Sequence, residues 1–160
     1  MIEMELIGVR IEAPANVPCV LLRERTGAQR ILPIFIGPAE AQAIVLALDG
    51  VVTPRPMTHD LIVLLLADQQ VELERVVVTE LQEKTFFAEL HLRRSGVASV
   101  VSCRPSDAIA VAARLGTSIF AAATVVEAAG VQPPAPDTEA EEVVEEFREF
   151  IENINPEDFL

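Results

Sequence analysis

The densest group of side chains that could do chemistry occupies residues 55–60, Arg-Pro-Met-Thr-His-Asp. It places a guanidinium, a hydroxyl, an imidazole and a carboxylate at the start of a predicted helix. Helix N-termini attract anions through free N–H groups and the dipole, and Arg55 would add a bidentate grip on phosphate. His59 is suited to act as a general base near neutral pH. The alternative is helix capping, with Thr58 as the N-cap and Asp60 complementing the dipole.

A second predicted helix start, Arg-Pro-Ser-Asp at 104–107, repeats the combination of cation, proline, hydroxyl and acid. Here too, capping by the Ser or Asp is the alternative. A third start, Gly-Pro-Ala-Glu at 37–40, contributes another carboxylate. If Glu40, Asp60 and Asp107 converge, their oxygens suit Mg²⁺ or Mn²⁺. Such an ion would neutralise a phosphate and activate water.

Hydrophobic periodicity predicts that these helix starts belong to an α/β (α+β) domain with a mixed sheet. Strands are predicted at 4–12, 17–25, 29–36, 71–81, 86–94, 98–103 and 118–123, and helices at 39–48, 59–68, 106–115 and 125–129. Three strands and a helix recur in order, which indicates a duplicated β3α unit. Arg-Thr-Gly at 25–27 and Arg-Ser-Gly at 94–96 mark corresponding turns, and Gly50 and Gly116 end corresponding helices. Duplication predicts related places for the acids at the two helix starts.

The charge of the chain is concentrated at its C-terminal end. Of 160 residues, 51% are apolar, which excludes a disordered chain, and the net charge is −13. Residues 1–131 hold 15 acidic and 11 basic residues, a net charge of −4, whereas residues 132–160 hold 10 acidic residues and one Arg, a net charge of −9. We expect a domain at 1–131, a proline-rich linker at 132–136 and an acidic tail at 137–160, helical over 137–153. The tail either docks on its own domain or a neighbouring subunit, or mimics nucleic acid.

The remaining composition points to a reduced, intracellular setting. Cys19 and Cys103 lie in apolar strand-like runs and are expected to be buried thiols. His91 alternates with core residues and is expected at the surface or at an interface. The N-terminus lacks signal-peptide character, and no apolar stretch is long enough to span a bilayer. We therefore expect a soluble, cytoplasmic protein.

Four segments carry a family resemblance. They are Leu-Pro-Ile-Phe-Ile-Gly-Pro-Ala-Glu-Ala at 32–41, Arg-Pro-Met-Thr-His-Asp-Leu at 55–61, Thr-Phe-Phe-Ala-Glu-Leu at 85–90 and Arg-Pro-Ser-Asp-Ala-Ile-Ala at 104–110. In this order, over residues 1–131, the chain resembles the bifunctional nuclease domain family, named for a plant member that cleaves RNA and DNA. Some members carry a C-terminal motif of excision-repair nucleases. This chain has a different tail, so the resemblance implies no DNA-repair partner.

The resemblance implies a nuclease acting on RNA and DNA, and we expect help from Mg²⁺ or Mn²⁺. The family's recurring polar residues match eight positions here, and we infer their roles. These are general base for His59, metal binding for Glu40, Asp60 and Asp107 (the last two also catalytic), phosphate binding for Arg55 and Arg104, and substrate contacts for Thr58 and Ser106.

The alternative is a non-catalytic, oligomeric binding or regulatory module that recognises a small anion or a protein partner. The net negative charge, the single Lys and the absence of Trp and Tyr as stacking platforms favour it. Strand edges and the apolar face of the tail predict a homo-oligomer under either hypothesis, most simply a two-fold dimer.

Overall fold

A seven-stranded mixed sheet organises residues 1–133, the part of the chain that the computed structural model describes. The strands are β1 (Ile2–Glu12), β2 (Val17–Glu24), β3 (Ile31–Phe35), β4 (Glu72–Gln82), β5 (Thr85–Arg94), β6 (Val97–Cys103) and β7 (Ile119–Ala121). The helices are α1 (Pro38–Leu48), α2 (Thr58–Asp68), α3 (Pro105–Leu115) and α4 (Ala123–Ala129). The predicted mixed α+β fold is confirmed. The predicted acidic helix at 137–153 lies outside the described residues.

Both predicted units form three antiparallel strands followed by a helix. The strand order is β3-β2-β1-β7-β4-β5-β6, so the two three-stranded units flank β7, which pairs antiparallel with β1 and parallel with β4. The predicted turn at Ser95-Gly96 joins β5 to β6, with φ angles of 49° and 83° that suit a tight hairpin. The predicted turn at Thr26-Gly27 lies in a longer loop between β2 and β3.

The buried core holds α1 and α3 against the sheet and against each other. Leu22 and Leu32 from the first unit, Val76 from the second, and Ile44 and Ile109 from the two helices are all fully buried. Burying an aliphatic side chain of this size contributes roughly 1.5–3 kcal/mol. The same packing places the N-termini of α1 and α3 close together, because these helices lie side by side over adjacent parts of one sheet.

Helices α1 and α3 begin in the same way, and both end beside a glycine, which is the C-cap itself in α3 and follows the Asp49 C-cap in α1. Each has Pro at its first position, where a missing N–H costs no hydrogen bond. Each has its acid, Glu40 or Asp107, two residues later. Gly50 and Gly116 follow the helix ends with φ angles of 62° and 66°, which a residue with a Cβ rarely adopts. The sequence-predicted helix ends are confirmed.

The starts of α2 and α3 show that the capping interpretation of Thr58 and Ser106 is wrong. Helix α2 begins at Thr58, so this residue is exposed at the first helical position and Met57 takes the N-cap position. Asp60 Oδ2 accepts a hydrogen bond of 2.9 Å from the Met57 N–H. Ser106 is likewise no cap, since it is the second residue of α3 and is buried. Asp60 therefore ties down the start of α2, and the hydroxyls of Thr58 and Ser106 are left for other contacts.

Cys19 is buried and Cys103 is half-buried, and neither forms a disulfide. His91 is half-buried, with Nδ1 lying 3.1 Å from Arg75 and Nε2 lying 3.1 Å from Glu89. Among residues 1–133, no helix is both long and apolar enough to cross a membrane.

Candidate functional site

A buried histidine pairs with a carboxylate from a different helix. His59, the second residue of α2, is 8% exposed, and its Nε2 lies 3.0 Å from Oδ1 of Asp107 at the third position of α3. An ionised carboxylate only accepts hydrogen bonds, so it favours the imidazole tautomer that carries its proton on Nε2. Nδ1 is then the lone-pair nitrogen. Packing of α2 on α3 thus joins two of the predicted catalytic residues.

Arg104 links the starts of α1 and α3. Its Nε donates to Asp107 Oδ2 over 2.8 Å, and its Nη1 donates to Glu40 Oε1, also over 2.8 Å. Yet the Arg104 side chain is 65% exposed, so its guanidinium also remains open to solvent. The two acids that duplication relates to each other therefore share one cation.

Their hydrogen bonds keep the carboxylates of Glu40 and Asp107 ionised. Burial raises the pKa of Asp107, but hydrogen bonds from Arg104 and His59 outweigh burial, so its pKa lies below the ordinary value. The backbone N–H of Glu40 and the Arg104 guanidinium likewise lower the pKa of the Glu40 carboxyl. The same two acids raise the pKa of Arg104 further above neutrality. At neutral pH the cluster therefore holds two carboxylates and one guanidinium around His59.

Asp60 faces a different cation. Its Oδ1 accepts a 2.5 Å hydrogen bond from Nε of Arg114, which lies in the last turn of α3 and is only 10% exposed. Nη1 of Arg114 also donates to the carbonyls of Ala43 and Ala110, at 3.0 and 2.9 Å. Hydrogen bonds from Arg114 and from the Met57 N–H lower the pKa of Asp60. The hydrogen bonds of Arg114 therefore tie α2 to α1 and α3, and they give Asp60 a structural partner.

The predicted three-carboxylate metal site is not assembled. Glu40 and Asp107 meet at Arg104, whereas Asp60 is held by Arg114. Over residues 1–133, no group of three or more His, Cys, Asp or Glu side chains is arranged to hold a metal ion. Each of the three carboxylates is already paired with a guanidinium, in the place where a metal cation would have to bind. As they are placed, these side chains therefore do not fit one Mg²⁺ or Mn²⁺.

Two clefts open beside the cluster, and both are lined by Glu40 and Arg104. The histidine cleft, of about 280 Å³, lies between α1 and the start of α2 and is lined by Ala39, Glu40, Gln42, Ala43, Leu46, Met57, Thr58, His59, Arg104 and Asp107. The phenylalanine cleft, of about 300 Å³, is lined by Ile34, Phe35, Ile36, Gly37, Glu40, Lys84, Thr85, Phe86, Arg104, Pro105 and Ser106. The Glu40–Arg104 pair thus contributes to the walls of both.

The clefts divide the predicted substrate-binding residues. Thr58 lines the histidine cleft and Ser106 lines the phenylalanine cleft, with Arg104 in both. Arg55 lines neither of them and is exposed in the connector before α2, where Thr53 Oγ1 bonds its carbonyl over 2.6 Å. The structure therefore gathers five predicted residues, Glu40, Thr58, His59, Arg104 and Asp107, around the histidine cleft.

Sequence reasoning missed three residues near the site. Arg114 stands out as the one charged residue in the apolar second half of α3, and this contrast signals a buried ion pair. Phe35 and Lys84 come from the end of β3 and the β4–β5 turn, and no local pattern relates them to Arg104.

Comparison with known proteins gives a consistent family. A family model described as "Bifunctional nuclease domain" matches residues 20–134. The chain is also similar to two Mycobacterium tuberculosis proteins, "Uncharacterized protein MT1877" of strain CDC 1551 / Oshkosh and "Uncharacterized protein Rv1829" of strain ATCC 25618 / H37Rv. Each is 44% identical over 163 residues, which cover 98% of this chain and 97% of the relative. The matched region includes the clefts and every residue of the cluster.

Proposed function

Because this chain belongs to the bifunctional nuclease domain family, we propose that it hydrolyses phosphodiester bonds in RNA and DNA at the histidine cleft. The observation that carries this proposal is the His59–Asp107 pair, at 3.0 Å, in a cleft that also presents the exposed guanidinium of Arg104. A base held by a carboxylate, beside a cation that can face phosphate oxygens, suits hydrolysis of a phosphate ester.

In this mechanism, His59 takes a proton from the attacking water through Nδ1. The water oxygen bonds to phosphorus as the bond to the leaving sugar oxygen breaks, and solvent water protonates that oxygen. Asp107 holds the ring by Nε2 and stabilises the imidazolium that forms, which is how a carboxylate supports a histidine base in general. Arg104 lies against the developing charge on the phosphoryl oxygens. Thr58 is exposed at the first position of α2, where its hydroxyl and the free N–H groups of the helix start face substrate oxygens.

The charge of the histidine cleft determines what a substrate phosphate meets there. The carboxylates of Glu40 and Asp107 and the guanidinium of Arg104 together carry a formal charge of −1. An incoming phosphate must therefore compete with Glu40 and Asp107 for Arg104, or be accompanied by a cation. Dependence on Mg²⁺ or Mn²⁺ stays a prediction, and we assign it no ligands, because Asp60 is bound to Arg114.

The test is cleavage of labelled single-stranded RNA and DNA by the purified full chain, with Mg²⁺, with Mn²⁺ and with EDTA. His59→Gln is compared with His91→Gln, because His91 is the other histidine and lies outside both clefts. We expect His59→Gln to lower the rate at least about a hundredfold and His91→Gln to change it little. Equal cleavage by the two variants would reveal a contaminating nuclease or a different base and would refute the assignment.

A second candidate function is a non-catalytic module that binds a small anion or a protein partner. One observation favours it: the outer surfaces of α1 and α2 and their connector expose many apolar side chains, namely Val45, Leu48, Val51, Val52, Leu61, Leu64 and Leu65. Such a surface is typical of interaction sites. A protein that cleaves neither polymer under any metal condition would support this candidate.

A further inference from the structure

We propose that the phenylalanine cleft is a nucleotide subsite for single-stranded nucleic acid, in which Phe35 stacks on a base and Lys84 and Arg104 bind phosphate. This inference rests on the proposed function and names its substrate class as unpaired strands. It adds Phe35 and Lys84, which lie outside the predicted set of site residues.

The exposed ring of Phe35 supplies the stacking surface. Phe35 is the last residue of β3 and pairs with Cys19 of β2, so its backbone is fixed by the sheet. Its neighbour Ile34 is buried in the core, whereas Phe35 is 63% exposed and lines the cleft. An aromatic ring on a rigid strand end can stack on any base, because every base has a π-face. A duplex keeps its bases stacked on one another, so this contact favours unpaired strands.

Lys84 is the cation that the phenylalanine cleft adds to Arg104. It is the single Lys of the chain, sits exposed on the β4–β5 turn and pairs with no acid within residues 1–133. Arg104, by contrast, is bound to both Glu40 and Asp107. A phosphate in this cleft therefore meets Lys84 directly, and the shared Arg104 places the next phosphate beside His59.

Ser106 adds a hydroxyl to the wall of this cleft. The residue is only 5% exposed and is held at the second position of α3. A sugar hydroxyl or a base edge bound in the cleft would offer this hydroxyl a hydrogen-bond partner.

The test is binding of a short fluorescein-labelled oligothymidylate to the full chain in EDTA, followed by fluorescence anisotropy at low salt. EDTA suppresses metal-dependent cleavage, and electrophoresis of the recovered oligonucleotide checks that it stays intact, so binding is measured separately from hydrolysis. We expect Phe35→Leu to weaken binding about tenfold, because it keeps apolar volume and loses the ring, and Phe35→Trp to retain it. Phe87→Leu is the matched control, since Phe87 is also exposed on a strand but lines neither cleft. Circular dichroism checks that each variant is folded.

The outcomes separate this inference from the nuclease proposal. Weaker binding by Phe35→Leu but not by Phe87→Leu supports the subsite even if the protein cleaves nothing. Equal affinity of wild type and Phe35→Leu overturns the subsite, even if cleavage at His59 is established. Absence of wild-type binding to the oligothymidylate, or an equal effect of Phe35→Leu on a duplex, also overturns it.

Discussion

His59 Nε2 lies 3.0 Å from Asp107 Oδ1, although 48 positions separate the two residues in the chain. The contact exists because α2 packs across α3 and brings the second residue of one helix to the third residue of the other. Asp107 holds the imidazole and is itself held by Arg104. This relationship makes Asp107 the residue that positions His59, and it leads to the first prediction.

Asp107→Asn should lower kcat for single-stranded RNA by about a hundredfold or more, because an amide no longer stabilises the imidazolium of His59. Binding of oligothymidylate in EDTA should not weaken, because the substitution removes a negative charge from the cleft. Asp68→Asn, at the exposed end of α2, is the matched control. Unchanged turnover in a folded Asp107→Asn variant would contradict the role of Asp107.

Arg114→Leu should destabilise the protein by about 1–3 kcal/mol, since it removes a guanidinium, only 10% exposed, that donates to Asp60 and to two helix carbonyls. Urea unfolding measures the change. Arg10→Leu should cost less than about 1 kcal/mol, because the Arg10–Glu12 pair is exposed. Similar losses of unfolding free energy in both variants would show that the Arg114–Asp60 pair has no special structural role.

Gly37→Ala should raise the affinity for oligothymidylate about 2–5-fold. A Cβ at position 37 would overlap Glu40 Oε2, so the Glu40 carboxylate must move away and leave Arg104 freer to bind phosphate. The backbone at Gly37 is extended, with φ at −76°, so Ala fits without strain. Glu40→Gln should have the same effect. Affinity that falls in both variants would mean that Glu40 assists binding.

The stability of the protein should fall as pH drops below about 4.5 because of Glu24. This carboxylate is 3% exposed, and its oxygens accept bonds from the Arg30 guanidinium and backbone N–H, which together lower the pKa of Glu24. A carboxyl with a lower pKa in the folded state stabilises above its unfolded pKa, and this contribution is lost as pH falls through the folded value. In urea unfolding from pH 7 to 3, the free energy of unfolding should fall less for Glu24→Gln than for the wild type. The same pH dependence of stability in both proteins would show that Glu24 does not cause the loss at low pH.

Cys103 should react slowly with iodoacetamide in the folded protein. Burial, and secondarily the nearby Asp107 and Glu89, raise the pKa of its thiol to about 11. At pH 8 we expect alkylation to be at least about a hundredfold slower than in urea, and to rise about tenfold per pH unit towards pH 11. Peptide mapping after timed alkylation measures this at each cysteine. Rapid alkylation of folded Cys103 at pH 8 would contradict the raised pKa of its thiol.

Much of the fold could be predicted because local patterns encode it. Apolar–polar alternation or apolar runs between turn residues marked the strands, and Pro38, Pro105, Gly50 and Gly116 marked helix boundaries through their backbone preferences. Capping by Thr58, the alternative to a role in chemistry, is wrong, because the cap and the first helical position differ by one residue and share the same residue types. The partners of Asp60 and Asp107 depend on how α2 crosses α3, which no local spacing specifies.

By itself, the sequence determined the family, the element order, the resemblance of the two β3α units and the chemical groups at the helix starts. These follow from periodicity, turn residues and motifs read within a few positions of each other. Only the tertiary structure decided that Asp60 faces Arg114 while Glu40 and Asp107 share Arg104, and that Phe35 and Lys84 meet beside Ser106. Side chains far apart in the chain acquire partners only when packing sets the positions of their helices and strands, and those partners determine which groups remain available for chemistry.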